Sequence, residues 1–395
     1  MPTDKGAVRR QTPIAATLMR GGTSKGLFFR RQDLPDDPSV RDAQLLRAMG
    51  SPDPYGGQID GLGGATSSTS KVVIVSPSAQ PDCDVDYLFG QVAIDRPQID
   101  WSGSCGNLAA AVGPFALHAG WVKNAPDNGN AVVRIWQVNR QQRIVAHVPL
   151  RDGQVQELGD FEVDGVPHPA AEICLDFYDP SGNDLSLLLP TGQTRDVLNV
   201  PSMGEIQATL INAGNPTVLV GANAFGLDGT ELPSELNANA SLLMRCEAVR
   251  LQAAQVMGLG RSGQRLAQPS LATPKLALVA SARSYVASNG AEISGGNIDV
   301  LVRMLSMGKF HHAIPGTGAI AVAAAAALPD TVLDGCLRRP QPERLGLRMG
   351  HASGRIKAHA EALCDDRGQW AIRRVSLSRS ARRLMSGQIW VPEQL

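Results

Sequence analysis

The 395-residue sequence has no excess of either charge: 37 Lys and Arg stand against 37 Asp and Glu, for a net charge of zero. A nucleic-acid footprint would show as a basic surplus, so no nucleic-acid partner is expected. Paired-cysteine chemistry is also missing. The six cysteines, at 83, 105, 174, 246, 336 and 364, form no CxxC pair and no zinc spacing, and read as reduced thiols. No uninterrupted apolar run reaches the ~18 residues of a spanning helix. The stretch from Met1 to Thr12 is polar and lacks the apolar core of a signal peptide. These absences predict a soluble, cytoplasmic chain with no membrane partner. HExxH, GxSxG and EF-hand patterns are absent. Gly258-Leu259-Gly260-Arg261-Ser262-Gly263 matches GxGxxG but follows a helical pattern where the dinucleotide fingerprint needs a strand, so it reads as a helix-ending turn. Neither a metal nor a cofactor is called for.

What is present is a repeat with one asymmetric position. Trp101-Ser102-Gly103-Ser104-Cys105-Gly106-Asn107 leads into the apolar stretch Leu108 to Ala119; His312-Ala313-Ile314-Pro315-Gly316-Thr317-Gly318 leads into Ala319 to Ala327. Pro315 stands where the thiol would fall. Ile14 to Thr23 similarly echoes Ile206 to Asn215, and Thr69-Ser70-Lys71-Val72 echoes Thr273-Pro274-Lys275-Leu276. The offsets are 192, 204 and 210 residues (14/206, 71/275, 105/315), rising in chain order as a duplication with small insertions requires. Length also exceeds what one core usually supports. Two similar domains are expected, residues 1–185 and 186–395, with a turn-rich junction and with the last residues able to return to the first.

Short apolar runs bounded by Gly, Pro, Asp and Asn predict strands, among them Val132 to Trp136 beside Arg143 to Val148, and Glu172 to Phe177. Ser39 to Met49, ended by Gly50, and Leu236 to Met257 show helical periodicity. The stretches after Asn107 and Gly318 are apolar nearly all round, so each is expected to be a central buried helix wrapped by strands.

A small-residue turn feeding a helix leaves N–H groups exposed and makes a carboxylate site. Cys105 at such a turn would have its thiolate favoured, against the alternative of an inert buried cysteine. Lys71 follows the small and hydroxylated run Gly61 to Ser70 and opens an apolar strand. There it is either a desolvated base, with Ser67, Ser68 and Thr69 holding carboxylate oxygens, or a strand-end lysine with its head in water. Arg20-Gly21-Gly22-Thr23-Ser24-Lys25-Gly26 offers charge and open backbone without the P-loop spacing; it suits a carboxylate or is a plain turn. Lys275, Ser306 and His311-His312 are the second half's contributions. The adjacent histidines are expected to point different ways and make a poor metal pair.

These segments together resemble the PrpF group of the diaminopimelate-epimerase-like superfamily over nearly the whole length. The resemblance rests on Met19 to Gly26, Ser51 to Gly56, Gln58 to Gly61, Gly63 to Lys71, Asp84 to Gln91 and Cys105-Gly106-Asn107 in the first half. In the second it rests on Leu305 to Lys309, His311-His312, Gly350-His351, Ser353-Gly354 and Ser378 to Arg382. It implies an α+β fold of two similar domains, each a β-barrel-like sheet around a central helix, with the site in the cleft between them. It implies cofactor-independent cis-trans isomerisation of 2-methylaconitate, a tricarboxylate of the 2-methylcitrate route of propionate breakdown, with extension to trans-aconitate. Sister activities on the same fold are 4-oxalomesaconate tautomerase and methylitaconate isomerase; an accessory protein for an iron–sulfur dehydratase is the non-enzymatic alternative. The parent epimerases face two cysteines across the substrate, and Pro315 departs from that pattern. By resemblance Lys71 becomes the favoured acid/base with Cys105 as helper. Arg20, Gly21, Thr23, Ser24, Lys25, Ser67, Ser68, Thr69, Ser104, Gly106, Asn107, Lys275, Ser306, His311, Gly316 and Thr317 become the substrate-binding candidates. The sequence leaves open whether the chain forms a homo-oligomer.

Overall fold

Two helices with no polar face decide the architecture, because each has to be covered on every side. In the computed structural model, residues 10–181, 188–201, 203–259, 273–338 and 346–392 are described. The first half contains β1 (Gln11–Gly21), β2 (Ser24–Arg30), α1 (Pro38–Met49), β3 (Lys71–Pro77), β4 (Val85–Val92), β5 (Ile99–Asp100), α2 (Ala109–His118), β6 (Gly129–Gln137), β7 (Gln142–Arg151), β8 (Gln154–Val155) and β9 (Ile173–Tyr178). The second contains β10 (Asp196–Val200), β11 (Gly204–Ala213), β12 (Asn215–Gly221), α3 (Pro233–Ala238), α4 (Ala240–Val256), β13 (Lys275–Ser281), β14 (Tyr285–Val286), β15 (Glu292–Ile293), β16 (Val300–Ser306) and β17 (Lys309–Phe310). It continues with α5 (Gly316–Ala326), β18 (Leu347–His351), β19 (Gly354–Cys364), β20 (Trp370–Arg379) and β21 (Ala381–Pro392).

The same order of strand pairing occurs twice. β21, β1, β2, β3, β4, β6, β7 and β9 are successive neighbours in one set. β10, β11, β12, β13, β16, β18, β19 and β20 are successive neighbours in the other. In both, the third step (β2 with β3, β12 with β13) and the fifth (β4 with β6, β16 with β18) are parallel. All the other steps are antiparallel. β9 pairs with β20 and joins the sets, and the chain's last strand, β21, lies along β1 from Gln11↔Pro392 to Gly21↔Ala381. The expected junction at 185/186 lies outside the described residues.

Helix α2 is buried from Ala109 to Ala116 and α5 from Gly316 to Ala325, and both belong to one continuous apolar core. Strands cover them with Val73, Val133, Ile144, Val148 and Leu175 in the first half and Ala277, Val302, Met349 and Val375 in the second. Each of the valine, isoleucine, leucine and methionine side chains among these, fully buried, contributes roughly 1.5–3 kcal/mol of transfer free energy. The helix expected over Leu236 to Met257 is two helices. The chain breaks at Asn239, whose side chain accepts the Leu242 N–H at 2.9 Å and caps α4. Of the GxGxxG segment, Gly258 lies in the turn after α4 with φ of 70°, and residues 260–263 lie outside the described residues. Among the described residues, no helix is long and apolar enough to cross a membrane.

The two buried helices meet end to end at their N-termini. A Cβ on Gly316 would stand 2.7 Å from the Gly106 carbonyl carbon and 2.8 Å from the Asn107 nitrogen. Only glycine permits that approach of two backbones. The positive ends of both helix dipoles therefore converge on one place.

Candidate active site

Both lysines of the repeat open equivalent strands beside that meeting point. Lys71 is the first residue of β3 and pairs in register with Gln91 of β4; its Nζ donates to Gln91 Oε1 at 2.6 Å. Lys275 is the first residue of β13, and its Nζ donates to the Ser306 hydroxyl of β16 at 2.9 Å. Each side chain runs in from the mouth of an apolar strand and ends up buried, with 7% exposure. Burial pushes the Lys71 amine below the ordinary lysine range, and the neighbouring Cys105 opposes that shift. Lys275 is pushed down to about 8 by burial and, next, by the charge of Lys71 across the cavity.

Cys105 and Pro315 are structural equivalents. The Cys105 carbonyl accepts the Ala109 N–H at 3.0 Å, and the Pro315 carbonyl accepts that of Ala319 at 2.9 Å, each opening a central helix. The Cys105 sulfur in addition accepts the Leu108 N–H at 3.4 Å, as a helix-capping side chain does. Proline offers nothing comparable. Tyr87 donates its hydroxyl to the Cys105 carbonyl at 3.1 Å and pins the turn from below.

One cavity gathers these groups from both halves. From the first half it takes Ser24, Ser67, Lys71, Ser104, Cys105, Gly106 and Asn107; from the second, Lys275, Ser306, His311, Gly316 and Thr317. Asp100 is the acidic residue of its wall. Ser104 Oγ is buried with no hydrogen-bond partner among the described residues, while its backbone is held by the Asn215 side chain at 2.9 and 3.0 Å.

The other candidates lie outside this wall. Arg20 donates to the Gly22 carbonyl and to the Ser380 carbonyl and hydroxyl at 2.9–3.2 Å, fastening the first hairpin to the turn between β20 and β21. A Cβ on Gly21 would sit 3.0 Å from Leu108 Cα, so that glycine serves packing on α2. Thr23 accepts from Asn107 Nδ2 at 3.0 Å, Lys25 takes part through its backbone N–H to the Ser68 carbonyl, and Thr69 bonds Thr66 at 2.8 Å. Ser68 stands behind His311.

The histidines correct an expectation. Their rings stack, with centroids 4.5 Å apart and planes 22° from parallel, and both reach Ser68 Oγ, at 2.9 and 3.3 Å. They lie in a bend rather than in a helix or strand, so alternation of side chains does not apply. His311 Nδ1 accepts the Ala313 N–H at 3.0 Å, which leaves the Nε2 hydrogen for Ser68. Burial, then the neighbouring His312, push its pKa well below the ordinary histidine value, so it is neutral. Among the described residues no group of three or more His, Cys, Asp or Glu is arranged to hold a metal.

Gly103 of the Cys105 turn lines the cavity too, and so do Phe89, Gln91, Asp100 and Asn215, which were not singled out by sequence. Asn215 was within reach of the repeat: it follows Ala213 and Gly214 as Ser24 follows Gly21, Gly22 and Thr23, at the same hairpin. Gln91 emerges only from the β3–β4 register. Arg379, at the end of β20, donates through Nε to Asn107 Oδ1 at 2.9 Å and braces the Cys105 turn from behind.

Residues 11–392 match the model of the PrpF protein family. This chain belongs to the PrpF family. A 2-methyl-aconitate isomerase of Cupriavidus necator is 51% identical over 391 residues, covering 97% of this chain and 98% of its own length. A protein of the same name from Shewanella oneidensis is 50% identical over 392 residues, covering 97% and 98%. The crystal structure of a methylitaconate-delta-isomerase is 36% identical and superposes with a TM-score of 0.76, covering 97% of this chain and 96% of its own. The two-fold repeat of strands around buried helices is thus the architecture this PrpF-family chain shares with a solved isomerase.

Proposed function

We propose that this chain is a cofactor-independent cis-trans isomerase of 2-methylaconitate, serving the 2-methylcitrate route of propionate breakdown, with Lys71 as the acid/base and Cys105 beside it. The observation that carries the reading is the shared cavity: a desolvated amine, a thiol at a helix N-terminus and a second cationic amine face one another where two helix N-termini meet. A tricarboxylate needs that concentration of positive potential, and the identity of about half the residues to 2-methyl-aconitate isomerases favours this substrate over those of the sister enzymes.

The chemistry balances without an added reactant. Neutral Lys71 takes an allylic proton next to a carboxylate, and the C–H electron pair moves into the conjugated system to give a dienolate. Negative charge accumulates on a carboxylate oxygen, where Lys275, the N–H groups near Gly106 and Gly316 and the Ser104 hydroxyl, without a hydrogen-bond partner among the described residues, meet it. Rotation about the weakened bond and return of a proton from the Lys71 ammonium complete the isomerisation. Cys105 holds or relays charge beside the amine.

Ultraviolet assay of purified protein on 2-methylaconitate and trans-aconitate, run in deuterium oxide, tests this. Isomerisation with deuterium entering the substrate is expected. Turnover of oxalomesaconate or methylitaconate alone would move the reading to a sister activity, and no turnover of any of them would favour the accessory-protein alternative.

A further inference from the structure

We infer that Gln91 is a positioning residue for Lys71: it grips the amine by one N–H, turns the nitrogen lone pair toward the cavity, and so makes the first of the two equivalent lysines the base. The inference rests on the proposed role of Lys71.

The geometry leaves Gln91 one orientation. Its Nε2 donates to the Ser70 carbonyl at 2.9 Å, and a carbonyl can only accept, so the amide nitrogen must face Ser70. Oε1, an acceptor without a hydrogen, is then the atom presented to Lys71 Nζ at 2.6 Å. Gln91 is itself 5% exposed and sits opposite Lys71 in the β3–β4 ladder, so neither side chain is free to wander. A neutral lysine has two N–H donors and one lone pair. With one N–H tied to Gln91 and the Phe89 ring centroid 5.0 Å from Nζ, the remaining directions open on the cavity shared with Cys105.

The second lysine is held differently. Ser306 presents a hydroxyl, which donates or accepts by rotating its hydrogen, so this contact does not fix whether Lys275 offers it an N–H or a lone pair. A cation that only has to stabilise charge does not need such a commitment. A base does, because proton transfer falls off steeply when the lone pair misses the C–H bond.

Neutrality of Gln91 matters as much as its direction. The charged or titratable groups facing Lys71 are Cys105 before α2, Asp100 of β5, Lys275 of β13 and His311 beyond β17. A carboxylate at 91 would add an ion pair in direct contact and stabilise the ammonium. The amide gives the same grip without that charge.

Gln91→Glu and Gln91→Met separate these two functions. For Gln91→Glu, the acidic limb of the kcat/KM profile should move to higher pH by about one unit or more, with kcat at neutral pH down about tenfold. For Gln91→Met, kcat should fall roughly 10- to 100-fold with KM held within about twofold, and solvent-deuterium entry should fall in parallel. An unmoved pH limb in a folded Gln91→Glu protein, or a wild-type kcat in Gln91→Met, would overturn the inference; if one variant does not fold by circular dichroism, the other decides. Full activity in Lys71→Ala would remove the base assignment itself. An inactive Lys71→Ala beside wild-type profiles in the Gln91 variants would remove only the positioning role.

Discussion

The two halves of this molecule wrap equivalent strands around equivalent helices and arm them differently. The first half brings Lys71 against an amide and Cys105 at the helix end; the second brings Lys275 against a hydroxyl and Pro315 at the matching place. Backbone symmetry survives because it is carried by pairing order and by the Gly106–Gly316 contact, which depend on small side chains and on no particular chemistry. Chemical symmetry is lost through single side chains at the cavity wall. A duplicated fold can therefore keep two anion-binding helix ends while confining proton transfer to one of them.

The largest test of that division is Lys71→Ala against Lys275→Ala. Losing the base should lower kcat by about 10²- to 10⁴-fold and abolish deuterium entry. Losing the second amine removes a substrate contact and part of the dienolate's charge stabilisation, so kcat/KM should fall by about tenfold or more through both kcat and KM, with a smaller loss of kcat than in Lys71→Ala and with deuterium entry per turnover intact. Equal loss of kcat in both would mean that the lysines share the proton work.

Pro315→Cys tests whether thiol symmetry matters. The variant restores a second thiol at the equivalent helix end, and isomerisation is expected to be no faster than in the parent protein. A gain in turnover would show that the proline limits the reaction.

Gly316→Ala targets the common backbone. Its methyl would press on the Gly106 carbonyl carbon and the Asn107 nitrogen at distances real Cβ atoms do not show, so the helix ends must part. Urea unfolding should report a loss of about 1–3 kcal/mol.

The smallest effect is in pH-dependent stability. Lys275 has a folded pKa of about 8, below the unfolded lysine value of about 10.4. Between these values the unfolded chain binds more protons, so this residue makes stability rise with pH across that window. Below about 8 the buried amine is protonated in both states and its burial cost is felt in full. Lys275→Met should flatten that rise in denaturant titrations from pH 8 to 10.

Much of this was readable in the chain. The helix-ending Gly50, the apolar runs of α2 and α5, and the lysines at the heads of β3 and β13 follow from local patterns whose physical cause is local: capping, burial on all faces, and strand propensity. The repeat placed Cys105 opposite Pro315, and the helix-opening carbonyls superimpose that equivalence on the fold. Other features had no local cause. Asn239 splits a continuous helical pattern because its side chain caps better than it continues. The histidines stack because a bend, not a strand, carries them.

The sequence by itself determined a duplicated α+β chain with two buried helices, one thiol and two lysines at small-residue turns. Tertiary structure alone decided that both helix ends share one cavity, that Arg20 braces the β20–β21 turn instead of lining that cavity, and that Gln91 meets Lys71. The reason is that propensity and burial act over a few neighbouring residues, whereas a site depends on strand register and on contacts between residues as distant in sequence as Gly106 and Gly316.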